Sequence, residues 1–279
     1  MPLHKINNFI SVFIDALKSL FYIRLWTPFF LFAVLSTALA YIILHPYNSI
    51  WTGLVIPIGT SGLFSGGPAF LHYPTHILLA PAVYTKVNLI FAVLLETLLL
   101  AGAVIVFNGF YNRQKICFGE GFSRAAKKYL PLVITSIIIY VVFYILGRYL
   151  PPMFTQSMRG SPLRLAAFLC VFYTFMFAVL SPFIYVMPFL VLKNENLVTA
   201  FKKSFKTCFK NFFTTFFMIF ITQGIVLPLS IILDLGVYVT DKFGPEIIIW
   251  ILYLQILVYM IASFLLVAML TRIFEEYHE

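Results

Sequence analysis

Charge is the scarcest property of this chain. Only 10% of its 279 residues are Asp, Glu, Lys or Arg, against the roughly 25% of an ordinary soluble domain. Together with a hydrophobic share of 62% and a mean hydropathy of +0.98, that deficit excludes a water-soluble globular enzyme, and it excludes disorder as well. Cysteine is scarce too. Cys117, Cys170 and Cys208 have no CxxC neighbour and no metal-type spacing, so neither a disulfide framework nor a thiolate metal site is implied. There is no Walker A loop, no GxGxxG with an acidic partner and no HExxH. Nothing therefore points to nucleotide hydrolysis, a redox cofactor or base-specific nucleic-acid contact, and neither cofactor nor metal is expected. What remains is an integral membrane protein.

Long apolar runs fill the space that charge leaves. A membrane-crossing helix needs roughly 20 apolar residues, and the patterning predicts spans near residues 27–44, 87–109, 131–147, 165–192, 212–233 and 247–271. Before the first, residues 4–22 place Phe9, Ile10, Phe13, Ala16, Leu17 and Leu20 at helical spacing opposite Asn8, Asp15 and Lys18, as in an amphipathic helix lying in the interface. Ala38-Leu39-Ala40 resembles a signal-peptidase site, but the stretch before it is too long for a signal peptide, so an uncleaved anchor is expected. Between Leu25 and Thr85 there is no charged residue at all, and residues 46–85 are broken by repeated Gly and Pro. They are expected to form an apolar extracytoplasmic loop, with a re-entrant segment as an open alternative. Pro182 and Pro188 should bend the fourth span. A short acidic tail, Glu275 to Glu279, follows the sixth.

The charges that exist are unevenly placed. With the N-terminus inside, 14 of the 19 basic residues fall on the cytoplasmic side and 5 outside (Lys86, Arg148, Arg159, Arg164 and Lys242), which sets an N-in, C-in orientation. The predicted fold is thus one all-α membrane domain, residues 1–279. Six transmembrane helices are joined on the cytoplasmic side by basic amphipathic elbow helices, in a plasma (inner) membrane.

Those elbows repeat. A turn at Phe118-Gly119-Glu120-Gly121 leads into a short helix with Arg124, Lys127 and Lys128, followed by a span. The second copy sets Leu197, Phe201, Phe205, Cys208 and Phe212 on one face, with Lys202, Lys206 and Lys210 at i, i+4, i+8 and Lys203 beyond them. The two Lys-Lys pairs stand 75 residues apart, and residues 4–22 read as a weaker third copy. Such elbows either bind anionic phospholipid or an acidic partner, or serve only to anchor the chain and fix its topology. The strings NLVTAFKKSFKTCFKNFFTTFF and GFSRAAKKYLPLVITSIII resemble the repeat of six-span prokaryotic membrane proteins related to the membrane part of glycerophosphodiester phosphodiesterases and to the YciC-like group. The resemblance implies an accessory or transport-related membrane role. It supplies no catalytic residues, because this chain lacks the fused soluble hydrolase domain.

Glu96 is the sharpest single residue, an ionisable group about 14 Å into the second predicted span. Gln223 and Gln255 fall at similar depth. A Glu96–Gln223–Gln255 cluster is either a proton or substrate site or interhelical hydrogen bonding that holds the bundle together. Gly59-Thr60-Ser61-Gly62 matches the GxSG string of rhomboid-type proteases, but it lies between the first two spans with no suitable histidine, and reads as a turn. His72 and His76 have helical spacing that Pro74 interrupts, so interfacial histidines are expected there in place of a metal pair. The leading functional expectation is a non-enzymatic subunit or scaffold packing with partner membrane proteins and acidic lipid. The alternative is a transporter or permease with a polar site around Glu96.

Overall fold

The computed structural model describes residues 3–45, 72–155 and 161–278, and these are helical apart from turns and short connections. The amphipathic N-terminal stretch forms α1 (Leu3–Ser19). Its apolar stripe buries Val12 and Ala16 in the main core, and Asp15 lies 3.8 Å from Arg272 near the far end of the chain. It is therefore seated on protein. A 3-10 turn at Ile23–Trp26 redirects the chain. Trp26 locks that corner by donating Nε1–H to the Leu20 carbonyl (2.8 Å) and stacking on Phe264. Helix α2 (Thr27–Leu44) then starts with Pro28 in its first turn, where a missing N–H costs nothing.

The expected loop over residues 46–85 needs correction. Residues 46–71, with the Gly59–Gly62 string, lie outside the described residues, but Thr75 already begins α3 (Thr75–Phe91). Pro81 inside that helix removes one donor. Burial of Ile77, Ala80, Val83 and Tyr84 outweighs the loss. The second span accordingly begins twelve residues before Val87: α3, a π-helical turn at Ala92–Glu96 and α4 (Thr97–Tyr111) run on as one 37-residue helix.

Helix α5 (Phe118–Ala126) contains the supposed turn residues, and one of its glycines, Gly121, serves packing. A Cβ added at Gly121 would lie 2.9 Å from the Gly102 carbonyl oxygen and 2.9 Å from Val106 Cγ2. Only a hydrogen at that position lets α5 lie directly on α4. Helix α6 (Tyr129–Thr155) runs past the predicted end at residue 147 and carries Arg148 within it. Helix α7 (Pro162–Leu180) breaks into a 3-10 turn at Ser181–Phe183, where Pro182 was expected to bend it, and α8 (Val186–Val191) follows. The second elbow is α9 (Leu197–Lys210). The fifth predicted span is two helices, α10 (Phe212–Gly224) and α11 (Leu227–Asp234), bent by 56° where Gly224 and Pro228 interrupt the ladder. A short α12 (Gly236–Phe243) precedes α13 (Ile247–His278). The acidic tail is the last turn of α13: Glu275 is buried, 2.9 Å from Asn112 Nδ2 and 3.5 Å from Arg272.

Among the described residues, five helical stretches are long and apolar enough to cross a membrane: Ile23–Leu44, Thr75–Tyr111, Tyr129–Leu150, Leu163–Val191 and Ile247–Tyr277. The bent pair α10–α11 is a sixth candidate. The elbows, α1 and the C-terminal turn meet at one end of the bundle, where Lys128 Nζ also donates to the Asn194 carbonyl across the two elbows (3.4 Å). Two apolar cores are stacked along α2 and α13. One, at the elbow end, holds Phe29, Phe107, Tyr185, Met218 and Phe264. The other, farther along, holds Ala40, Ala80, Val83 and Leu252. Helices α6 and α7 contribute little to either, with only 11% and 6% of their spanning windows buried.

Candidate intramembrane polar site

Between the two cores the packing opens into a cavity of about 260 Å³. Its walls come from α2 (Phe32, Ser36), α3 and the π turn (Tyr84, Asn88, Glu96), the start of α11 (Val226) and α13 (Gln255, Tyr259). Glu96 lies about 22 Å along the helix from Tyr111 at 1.5 Å per residue, well inside the 37-residue span. It is 6% exposed, and its Oε1 accepts a hydrogen bond from the Tyr259 hydroxyl at 2.7 Å.

The π turn governs the backbone on which Glu96 is presented. A wider turn leaves the regular hydrogen-bond ladder short of partners, and such turns recur at functional sites. Thr97 answers part of that need by donating to the Ala92 carbonyl (3.0 Å), while sharing a 2.7 Å contact with Ser136 on α6. Elsewhere around the cavity, Ser36 Oγ donates to Asn88 Oδ1 (3.2 Å), tying α2 to α3. Gln255 Nε2 donates to Ser230 Oγ (2.9 Å), tying α13 to α11.

Of the three polar residues singled out in the sequence, Glu96 and Gln255 share this cavity, while Gln223 is half-buried beside the α10–α11 bend and is not among the lining residues. Sequence reasoning missed Tyr259, Ser36 and Ser230. A signal for the first was present: Gln255, Tyr259 and Ser263 recur every fourth residue, a polar stripe on an otherwise apolar helix. The elbow cations lie outside the cavity, at the end where the elbows gather. Arg124 pairs with Glu120 and Lys203 with Glu195, whereas Lys127, Lys202, Lys206 and Lys210 are exposed. His45 stacks on Tyr41, and no group of three or more His, Cys, Asp or Glu that could hold a metal occurs among the described residues.

Comparison with protein-family models, with characterised proteins and with solved structures returns no match. The residues identify the class without them. This is an all-α, multi-span integral membrane protein. Chemically, the cavity offers one carboxyl group, an amide oxygen and several hydroxyls inside a low-dielectric wall. Such a set can hold a proton or a small cationic solute.

Proposed function

We propose that this protein is a transporter-type membrane protein that binds a small cationic or protonated solute beside Glu96, and that it is not an enzyme. One observation carries the reading: the polar cavity between the cores, with a buried carboxyl group well inside the second span and polar groups from α2, α3 and α13 around it. A purely structural scaffold would be expected to close that space with apolar side chains. The volume of about 260 Å³ lies just below the usual range of ligand pockets, which argues for a solute of few atoms. With the elbow end in the cytoplasm, the bent pair as one span and both termini inside, the chain would cross a plasma (inner) membrane six times. Anionic phospholipid would then meet the elbow lysines. The resemblance to the YciC-like group rests on the two elbow strings alone and implies an accessory or transport-related role, which suits either reading.

Access and charge test this directly. In a cysteine-free background, Asn88→Cys should react with a positively charged thiosulfonate reagent faster than with a negatively charged one. Adding Glu96→Gln should abolish the preference. No reaction with either reagent in the folded protein would refute a polar path to Glu96.

The scaffold reading keeps one specific support: few residues of α6 and α7 are fully buried by the rest of the chain, which leaves long faces for lipid or for partner helices. Native purification in mild detergent separates the two. A partner held in fixed stoichiometry against α6 and α7 favours the scaffold.

A further inference from the structure

A second cavity, of about 350 Å³, lies at the elbow end and is unrelated to Glu96. It forms where the end of α8, the flank of α9 and the last turn of α13 converge, with Phe189 and Tyr277 in its wall. Four cations line it: Lys193, Lys203, Lys206 and Lys210. The last three are spaced i, i+3, i+7 and so share one helical face. Lys202, which the sequence pattern grouped with Lys206 and Lys210, is not among the lining residues. One acid offsets this charge. Glu195 pairs with Lys203, and Lys193, Lys206 and Lys210 make no ion pair among the described residues. Thr207 and Asn211 add polar side chains, the latter only 5% exposed.

Holding three unpaired ammonium groups around one concavity works against folding, since like charges at this spacing repel. A polyvalent anion removes that penalty. The neighbourhood also suits an amphiphile: Phe209 and Phe213, close in sequence to Lys210 and Asn211, stand 68% and 64% exposed and leave apolar surface for acyl chains. We propose that this cavity is a discrete site for a phosphate monoester or diester, with one anionic phospholipid headgroup bound per chain. The inference sharpens the lipid contact proposed above for the elbows, and it is independent of the Glu96 reading.

Native mass spectrometry of the full chain in neutral detergent tests it, with phosphatidylglycerol and phosphatidylcholine titrated in separate arms and inorganic phosphate as competitor. The expected result is one phosphatidylglycerol retained per chain in preference to phosphatidylcholine. Joint Lys206→Gln and Lys210→Gln exchange should weaken it roughly 30-fold. Lys18→Gln with Lys115→Gln removes the same charge from the same end of the bundle and should leave binding within twofold. All four positions are exposed, and a cooperative melting curve no lower than that of wild type confirms that each variant is folded. Displacement by inorganic phosphate assigns the site to the free anion, and retention against it assigns the site to the lipid headgroup. Equal weakening by the two double variants, or equal retention of the two lipids without phosphate binding, overturns the proposal. The labelling experiment at Asn88 is unaffected by either outcome.

Discussion

Gly119 and Gly121 stand two residues apart in α5, and alanine at each should move stability in opposite directions. In a helix interior alanine is favoured over glycine by about 0.8–1 kcal/mol, and by less in the first turn. At Gly119 a new Cβ meets nothing within 4 Å, so that preference is realised in full, at about 0.5 kcal/mol. At Gly121 the same atom arrives 2.9 Å from a backbone oxygen of α4 and 2.9 Å from a methyl of Val106. A side chain can swing aside, but the Gly102 carbonyl is held in a helix, so the two helices must separate. Overpacking of this kind costs about 1–3 kcal/mol, which offsets the helical preference and leaves a net loss of up to about 2 kcal/mol. Thermal unfolding of the full chain in one detergent, with wild type and both variants run side by side, reads the two signs. Adding Val106→Ala to Gly121→Ala should recover part of the loss, because it removes the methyl contact and leaves the carbonyl one. A Gly121→Ala variant as stable as wild type would refute the close approach of α5 to α4. Equal losses at both positions would return the pair to the role of a turn.

Three further outcomes follow. Tyr259→Phe deletes the hydroxyl that donates to Glu96 and should destabilise the bundle by about 0.6–1.7 kcal/mol; Glu96→Gln, which keeps an acceptor for Tyr259, should cost less in the same unfolding assay. Burial pushes the Cys208 thiol up to about 11, so maleimide at pH 7.5 should modify exposed Cys117 rapidly and Cys208 only after denaturation, as peptide mapping would show. Tyr73 donates to Glu246 at 2.6 Å, which holds that carboxyl below its ordinary value and the phenol above its own. The depressed carboxyl contributes stability that is lost as pH falls below about 4, and the raised phenol one that is lost above about pH 10. Tyr73→Phe should flatten the melting temperature across both limbs, and an unchanged profile would show that the pair contributes nothing.

The membrane class, the approximate spans and the elbow plan were legible because each depends on a property that adds along the chain: apolar length, helical period, the sign of charge in loops. The acid at position 96 was legible for the same reason, as a lone charge in a long apolar run. What escaped were features set by a second segment. Pro74, Pro81 and nearby glycines read as loop, yet burial of Ala80 and Val83 carries the helix through Pro81. Gly121 read as a turn residue because its requirement comes from Gly102, nineteen positions earlier. The pattern sets Lys202, Lys206 and Lys210 on one flank with Lys203 beyond them, but it gives only the face of a helix and not which neighbour that face meets, so the convergence of Lys203, Lys206 and Lys210 on one cavity escaped it. The notion that Gln223 joins Glu96 assumed a straight fifth span, and the 56° bend lies beside it.

The π turn at Ala92–Glu96 makes the second membrane helix a matter of phase. A residue added to an α-helix rotates everything beyond it by about 100°. Within this turn the extra residue is absorbed, so α3 and α4 keep the angular register of one continuous rod. Deleting a single residue from 92–95 would let the segment rewind as α-helix with its two halves left at nearly their present angle and separation. The same deletion made in the regular part of the rod, at Lys86 for example, would turn one half against the other by more than a quarter of a circle, about 100°. Either Ala80 and Val83 would then leave the outer core, or Gly102 would turn away from Gly121; no single rotation satisfies both. The helix can give up a residue in its π turn or at its ends, and nowhere between.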